Sequence, residues 1–187
     1  MPQPFDKNIV LTGFMAVGKT VAGRRLAQRL KRSFIDLDQV IEEREGMKVE
    51  KIFNRKGESY FRKLEKQTLK EILARDDQVI ATGGGVVLDT GSRSLLNRRS
   101  VVICLKARPQ TLLRRSGPNS ERPLLQGENR LQRIQELLAQ REGFYDQAHI
   151  RIDTENLSVE EVVEMIMKEL PVPPIPLSPL SKQKGGR

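Results

Sequence analysis

Eight residues near the N-terminus, Gly13-Phe-Met-Ala-Val-Gly18-Lys19-Thr20, read G-x-x-x-x-G-K-[ST], the pattern of a phosphate-binding loop. The pattern constrains the fold on both sides. A strand must deliver the loop and a helix N-terminus must receive it, so that backbone N–H groups and the helix dipole face the phosphates. The flanks meet this demand. The apolar run Asn8-Ile-Val-Leu11 precedes the loop, and Lys19 to Leu30 carries Val21, Ala22, Leu26, Ala27 and Leu30 at helical spacing. Lys19 is then expected to neutralise the β/γ oxygens of a nucleotide, and the Thr20 hydroxyl to hold Mg²⁺. Gly13, Ala16, Val17, Gly18 and Val21 complete the expected nucleotide-binding segment.

The rest of the chain supplies the partners that such a loop needs. Strands are expected at Asn8–Leu11, Ser33–Asp36, Gln78–Thr82, Val101–Leu105 and Ile150–Asp153. Helices are expected from Lys19 to Leu30, from Asp38 until Gly46, as a short turn from Val49 to Phe53, and from Glu58 to Arg75. Further helices are expected over Ser92–Arg99, Pro109–Arg115, Leu131–Arg141 and from a capping box at Ser158-Val-Glu-Glu161 to Leu170. Five strands alternating with helices predict an α/β fold, a parallel sheet with helices on both faces. Ligands of such sheets bind at the carboxyl ends of the strands, so the segments just after each strand are the ones to search.

Residues 1–170 are expected to form one domain, and 187 residues suffice for a proper core. The segment from about 116 to 128, with two glycines and two prolines, breaks the pattern and is expected to be a mobile lid. From Pro171 to Arg187 five prolines and no helical period predict an extended, mobile tail. Within it Pro173-Pro-Ile-Pro176 fits P-x-x-P, a pattern cheap in any proline-rich segment. No apolar run is long enough to span a bilayer, and the first strand comes too early to leave room for a signal peptide. The expected compartment is the cytoplasm. The formal charge of +9 would suit nucleic acid, but with 4% aromatic residues and no tryptophan a base-stacking platform is poorly supplied. Cys104, the one cysteine, lies in an apolar run and reads as a buried hydrophobe. His149, the one histidine, reads as structural.

Three groups of residues could carry chemistry. Asp36 and Asp38 bracket the end of the second strand. Two apart in extended chain, they would point the same way. One could act on Mg²⁺ or its waters and the other on an attacking hydroxyl; alternatively Asp38 caps the following helix. Gly83-Gly84-Gly85 follows the third strand and lets backbone approach a ligand closely. The preceding Thr82 stands where this class of protein usually has a metal-binding acid, and Asp36 is the obvious replacement. The third group is the arginines. Five basic residues and one acid lie between Lys106 and Arg122, Arg62 follows Tyr60-Phe61 on a helix, and Arg141 ends the helix from Leu131. Arg62 could offer a bidentate fork to a carboxylate or phosphate.

Taken together, these residues resemble shikimate kinase, a small P-loop kinase of the nucleoside-monophosphate-kinase type. The resemblance covers about residues 7–168. It is carried by Gly13–Thr20, Asp36-Leu-Asp38, Gly57-Glu58 with Phe61-Arg62, Thr82-Gly-Gly-Gly85, Arg122-Pro-Leu-Leu125, and Arg141 with Tyr145. It departs at Glu142-Gly-Phe-Tyr145, where the family often has a proline, and at Thr154-Glu-Asn-Leu157, which lacks the usual basic and proline residues. The resemblance implies a five-stranded parallel sheet in the order 2-3-1-4-5 and transfer of the ATP γ-phosphoryl group to the 3-hydroxyl of shikimate, by a monomer. It further implies that Lys19 contacts the β/γ phosphates, that Thr20 binds Mg²⁺ and that Asp36 arranges the metal's waters. Asp38 would hydrogen-bond shikimate and act as base or orienter. Arg62 and Arg141 would grip the substrate carboxylate, with Gly83, Gly84 and Gly85 beside them. Arg122 would close over the phosphates and Arg115 would flank the adenine. A gluconate kinase of the same build is the nearest rival.

Overall fold

The computed structural model describes residues 7–117 and 129–170. Five strands form one parallel sheet: β1 (Asn8–Gly13), β2 (Ser33–Asp36), β3 (Gln78–Ala81), β4 (Ser100–Lys106) and β5 (Ile150–Asp153). Their order is β2-β3-β1-β4-β5, the order expected. Among the described residues seven helices connect and cover them: α1 (Lys19–Leu30), α2 (Leu37–Glu45), α3 (Val49–Ile72), α4 (Thr90–Arg99), α5 (Pro109–Ser116), α6 (Arg130–Tyr145) and α7 (Val159–Glu169).

The central strands are apolar throughout because both faces are covered. Along β1, Ile9 and Leu11 enter one core with α1, α6 and α7, while Val10 enters the other with α2, α3 and α4. β4 repeats the alternation, Ile103 and Leu105 on the first face, Val102 and Cys104 on the second. Cys104 is buried and its thiol is pushed up to about 11 by that burial, so it packs as a hydrophobe. His149 is structural as well. Its Nδ1 accepts the Val102 N–H at 3.0 Å, just before the β4–β5 pairing starts at Ile103 and Ile150. The expected capping box closes α7: Ser158 Oγ accepts from Glu161 N–H and Glu161 accepts from Ser158 N–H.

Some boundaries differ from the sequence reading. The expected short turn and following helix are one span, α3, bent where Gly57 leaves helical geometry at φ 80°. α3 ends at Ile72 rather than Arg75, because Leu73 and Ala74 already turn toward β3. α6 runs on to Tyr145, and a 3-10 turn at Val86–Leu88 was not anticipated. Among the described residues no helix is long and apolar enough to cross a membrane. Residues 1–6, 118–128 and 171–187, which include all but the first two residues of the expected lid and the whole expected tail, lie outside the described residues.

Candidate active site

Because the sheet is parallel, its five strand ends gather on one edge, and the searched segments meet there. The loop after β1 wraps back on itself. Gly18, at φ 105°, occupies a backbone region that side chains disfavour, and Ala16 is also left-handed at φ 62°. Gly18 is the N-cap of α1 and gives no side-chain cap, so the first N–H groups of the helix are left for a ligand. Lys19 is buried and its Nζ donates to the carbonyls of Gly13 and Phe14, both at 2.9 Å. The ammonium is thereby held in the loop it must serve.

A cavity of about 630 Å³ opens in front of this loop, within the range of small-ligand sites. Ala16, Gly18, Lys19, Thr20, Asp36 and Asp38 are among its lining residues. Thr20 Oγ1 donates to Asp36 Oδ2 at 2.7 Å. This hydroxyl–carboxylate pair fits Mg²⁺, a hard ion that takes one or two protein oxygens, substrate phosphates and several waters. No group of three metal-binding acids, histidines or cysteines exists among the described residues. Thr82 Oγ1 donates to the Leu11 carbonyl at 3.2 Å, a tie between β1 and the end of β3, and Thr82 also borders the cavity. Arg115 bridges toward the far side. It donates to Thr154 Oγ1 and O at 2.9 Å and to Val17 O at 3.4 Å.

The two aspartates share the site for a reason other than strand alternation. Asp36 ends β2, whereas Asp38 is already in the first turn of α2. The cap of α2 is Asp36, whose Oδ1 accepts from the N–H groups of Asp38 and Gln39 at 3.1 and 3.4 Å. Asp38 is therefore not the capping residue, and its carboxylate reaches deeper.

Behind Asp38 lies a second, smaller chamber of about 50 Å³, lined by Arg62, Glu65, Gly83, Gly84, Gly85 and Arg141 with apolar neighbours. Asp38 lines both chambers. The three glycines are explained by their neighbours. A Cβ on Gly83 would stand 2.6 Å from Glu65 Oε1 and 2.9 Å from Asp38 Oδ1; one on Gly85 would stand 2.5 Å from both Nη atoms of Arg62. One on Gly84 would press on the Gly13–Met15 backbone. The glycines thus admit protein side chains and loop backbone, and through them whatever those side chains bind.

Two residues organise this chamber: Glu65, which the sequence did not single out, and Tyr145, to which it gave no role. Glu65, 3% exposed, pairs with Arg62 Nη1 at 2.7 Å. Burial pushes its carboxyl up to about 7; the Arg62 charge opposes that rise and Asp38 adds to it. Burial alone would lower Arg62, yet pairing with Glu65 and Glu58 leaves it raised and charged. Tyr145, on α6, donates its hydroxyl to the Gly84 carbonyl at 2.7 Å, beside the 3.2 Å bond from Arg141 Nη1 to the same oxygen. Burial drives the Tyr145 hydroxyl up to about 12, so it stays a donor. Arg141 is 2% exposed and its guanidinium faces the Phe14 ring at 5.7 Å. Arg141 Nε and Glu65 Oε1 are buried with no hydrogen-bond partner among the described residues, a donor and an acceptor on the chamber's two sides. Arg122 lies outside the described residues.

Two anion-handling chambers meeting at one carboxylate suit phosphoryl transfer to a small acid. A family model described as Shikimate kinase matches residues 15–171. The chain belongs to the shikimate kinase family. The shikimate kinase of Thermoanaerobacter pseudethanolicus is 46% identical over 162 residues, covering 87% of this chain and 95% of its own. That of Thermodesulfovibrio yellowstonii is 47% identical over 163 residues, covering 87% and 94%. Among solved structures, shikimate kinase from Acinetobacter baumannii in complex with shikimate superposes with a TM-score of 0.85 at 36% identity, over 89% of this chain and 93% of that one. A gluconokinase from Sinorhizobium meliloti reaches a TM-score of 0.53 at 16% identity over 86% and 89%, which speaks for the fold alone. Membership in the family carries an ATP-dependent kinase activity toward shikimate, and the P-loop kinase fold with it.

Proposed function

We propose that this chain transfers the γ-phosphoryl group of Mg-ATP to the 3-hydroxyl of shikimate, with the two chambers as donor and acceptor sites and Asp38 between them. The observation that carries the reading is the position of Asp38, on the shared wall of both cavities. On the donor side Lys19 and the α1 N-terminus neutralise the triphosphate. Thr20 and Asp36 would hold Mg²⁺, which supplies charge neutralisation across the β and γ oxygens when bound. Ala16, Val17, Gly18 and Val21 border the phosphates, and Arg115 with Thr154 borders the base. On the acceptor side Arg62 and Arg141 take the carboxylate, beside Gly83, Gly84 and Gly85. Asp38 accepts a hydrogen bond from the 3-hydroxyl, aligning its oxygen for attack and receiving its proton as the new O–P bond forms. The bond from the γ-phosphorus to the bridging oxygen breaks, and ADP leaves with that electron pair. Arg122 is assigned from the sequence as the cation that covers the phosphates. The working unit is residues 1–170, acting as a cytoplasmic monomer, with the segment after Leu170 outside the chemistry.

ADP release with Mg-ATP and shikimate, gluconate or AMP in turn tests the reading. Shikimate alone should stimulate. A rate with shikimate no higher than with ATP alone would sink the proposal. Asp38→Asn should lower turnover by at least ~10²-fold while ATP binding stays near normal. A large loss of ATP affinity instead would assign Asp38 to the metal.

A further inference from the structure

Three of the five N–H donors of the Arg62 guanidinium are engaged by the protein's own carboxylates. Nη1 pairs with Glu65 at 2.7 Å, and the Nε/Nη2 edge is turned on Glu58 Oε1, at 3.2 and 3.1 Å. That edge is one of the faces with which a guanidinium can grip a carboxylate with two parallel hydrogen bonds. The two partners are not equivalent. The Glu65 side chain is 3% exposed and walled in by Gly83 and Asp38, whereas the Glu58 side chain is 52% exposed. Glu58 follows Gly57, where α3 bends, and sits one helical turn before Arg62. The chamber itself has about 50 Å³ of room, enough for one or two waters and too little for a ring-bearing acid.

Charge makes coexistence unfavourable. With Asp38, Glu65 and Glu58 around Arg62 and Arg141, a further carboxylate would set at least three acids against two cations when Glu65 is protonated. A guanidinium shared among three carboxylates is weakened toward each of them. We propose that Glu58 is an internal competitor for the substrate: its carboxylate occupies the Arg62 edge in the absence of the acceptor, swings into water when the acceptor carboxylate arrives, and so sets acceptor affinity. Glu65 stays in place as the permanent anchor of Arg62. This inference rests on the shikimate reading above for the identity of the acceptor. It adds that the carboxylate subsite is regulated by an exposed residue that need not touch the bound substrate.

The competitor role has a sign that a supporting role lacks. Glu58→Gln keeps size and one acceptor oxygen but removes the charge. It should tighten shikimate binding roughly three- to five-fold, the scale of losing one exposed ion pair. Binding is measured by calorimetry on the full chain without nucleotide, using shikimate and its neutral carboxamide. The carboxamide, which brings no charge to Arg62, should bind both proteins equally. Unchanged or weaker shikimate binding by Glu58→Gln overturns the proposal and makes Glu58 a positioning partner of Arg62. Equal tightening for shikimate and carboxamide also overturns it, since the gain would then be steric. Wild-type protein with no shikimate binding and no shikimate-dependent ADP release would instead refute the functional reading on which the inference stands.

Discussion

Thr20 and Asp36 meet hydroxyl to carboxylate at 2.7 Å across the junction of the first two strand–helix units. Asp36 carries a second duty at the same time, since its other oxygen caps α2. The two duties separate by substitution. Asp36→Asn keeps an acceptor for the cap but loses the charge toward Mg²⁺. It should shift the Mg²⁺ concentration for half-maximal rate upward by about 10-fold or more, with little change in melting temperature. Asp36→Ala loses both and should also cost about 1 kcal/mol of stability. Equal Mg²⁺ dependence in wild type and Asp36→Asn would remove Asp36 from the metal site.

Glu65 gives a pH signature. Its carboxyl rises from 4.5 to about 7 on folding. Between those values the folded chain keeps a proton that the unfolded chain has lost. The group's contribution is therefore complete below the lower value and is lost as pH rises through the upper one. At ~1.4 kcal/mol per unit this amounts to roughly 3 kcal/mol. Glu65→Gln cannot ionise. Thermal melts of variant and wild type at pH 5 and pH 8 should show the variant's relative stability improving at the higher pH. A difference independent of pH would mean that Glu65 does not titrate in this window.

Legibility in the sequence followed the range of the physics involved. The phosphate loop was readable because its function needs a contiguous run, and the central strands β1, β3 and β4 were readable because burial on both faces leaves them largely apolar. The strand order was supplied by family resemblance, since spacing alone cannot say which parallel strands are neighbours. Asp36 and Asp38 were legible as a pair and the end of β2 at Asp36 was as expected, but the reason for their meeting was not: α2 begins at Leu37, so Asp38 is helical rather than extended, and the cap is Asp36. Glu65 went unnoticed, and Tyr145 was noted only as part of the family pattern with no role, because each acts through another residue rather than on a ligand. One signal was available. Glu58 and Glu65 stand at i−4 and i+3 from Arg62, the spacings at which helical side chains meet.

The glycines predict a split between stability and binding. Gly85 has φ −102°, a value alanine adopts freely, so Gly85→Ala should leave stability within about 1 kcal/mol of wild type. Its new methyl group nevertheless stands where the Arg62 guanidinium lies. The guanidinium must withdraw, and the shikimate KM should rise about 10-fold or more with the ATP KM nearly unchanged. Gly83→Ala meets Glu65 and Asp38 instead and should depress kcat most. Steady-state kinetics of both variants distinguish the two neighbours. An unaltered shikimate KM in Gly85→Ala would show that Arg62 does not hold the acceptor.

Tyr145 tests whether the acceptor subsite is held from behind. Its hydroxyl and Arg141 Nη1 converge on one carbonyl, that of Gly84, so the tyrosine fixes the backbone against which Arg141 is set. Tyr145→Phe keeps the buried ring and deletes one hydrogen bond, at a cost of about 1 kcal/mol in stability. Because the hydroxyl bonds to backbone and not to a reacting atom, the shikimate KM should rise only a few-fold while kcat stays within about threefold of wild type. With its hydroxyl held up near 12 by burial, Tyr145 cannot act as a base at neutral pH. A ~100-fold loss of kcat in Tyr145→Phe would place the hydroxyl in the chemical step and contradict this role.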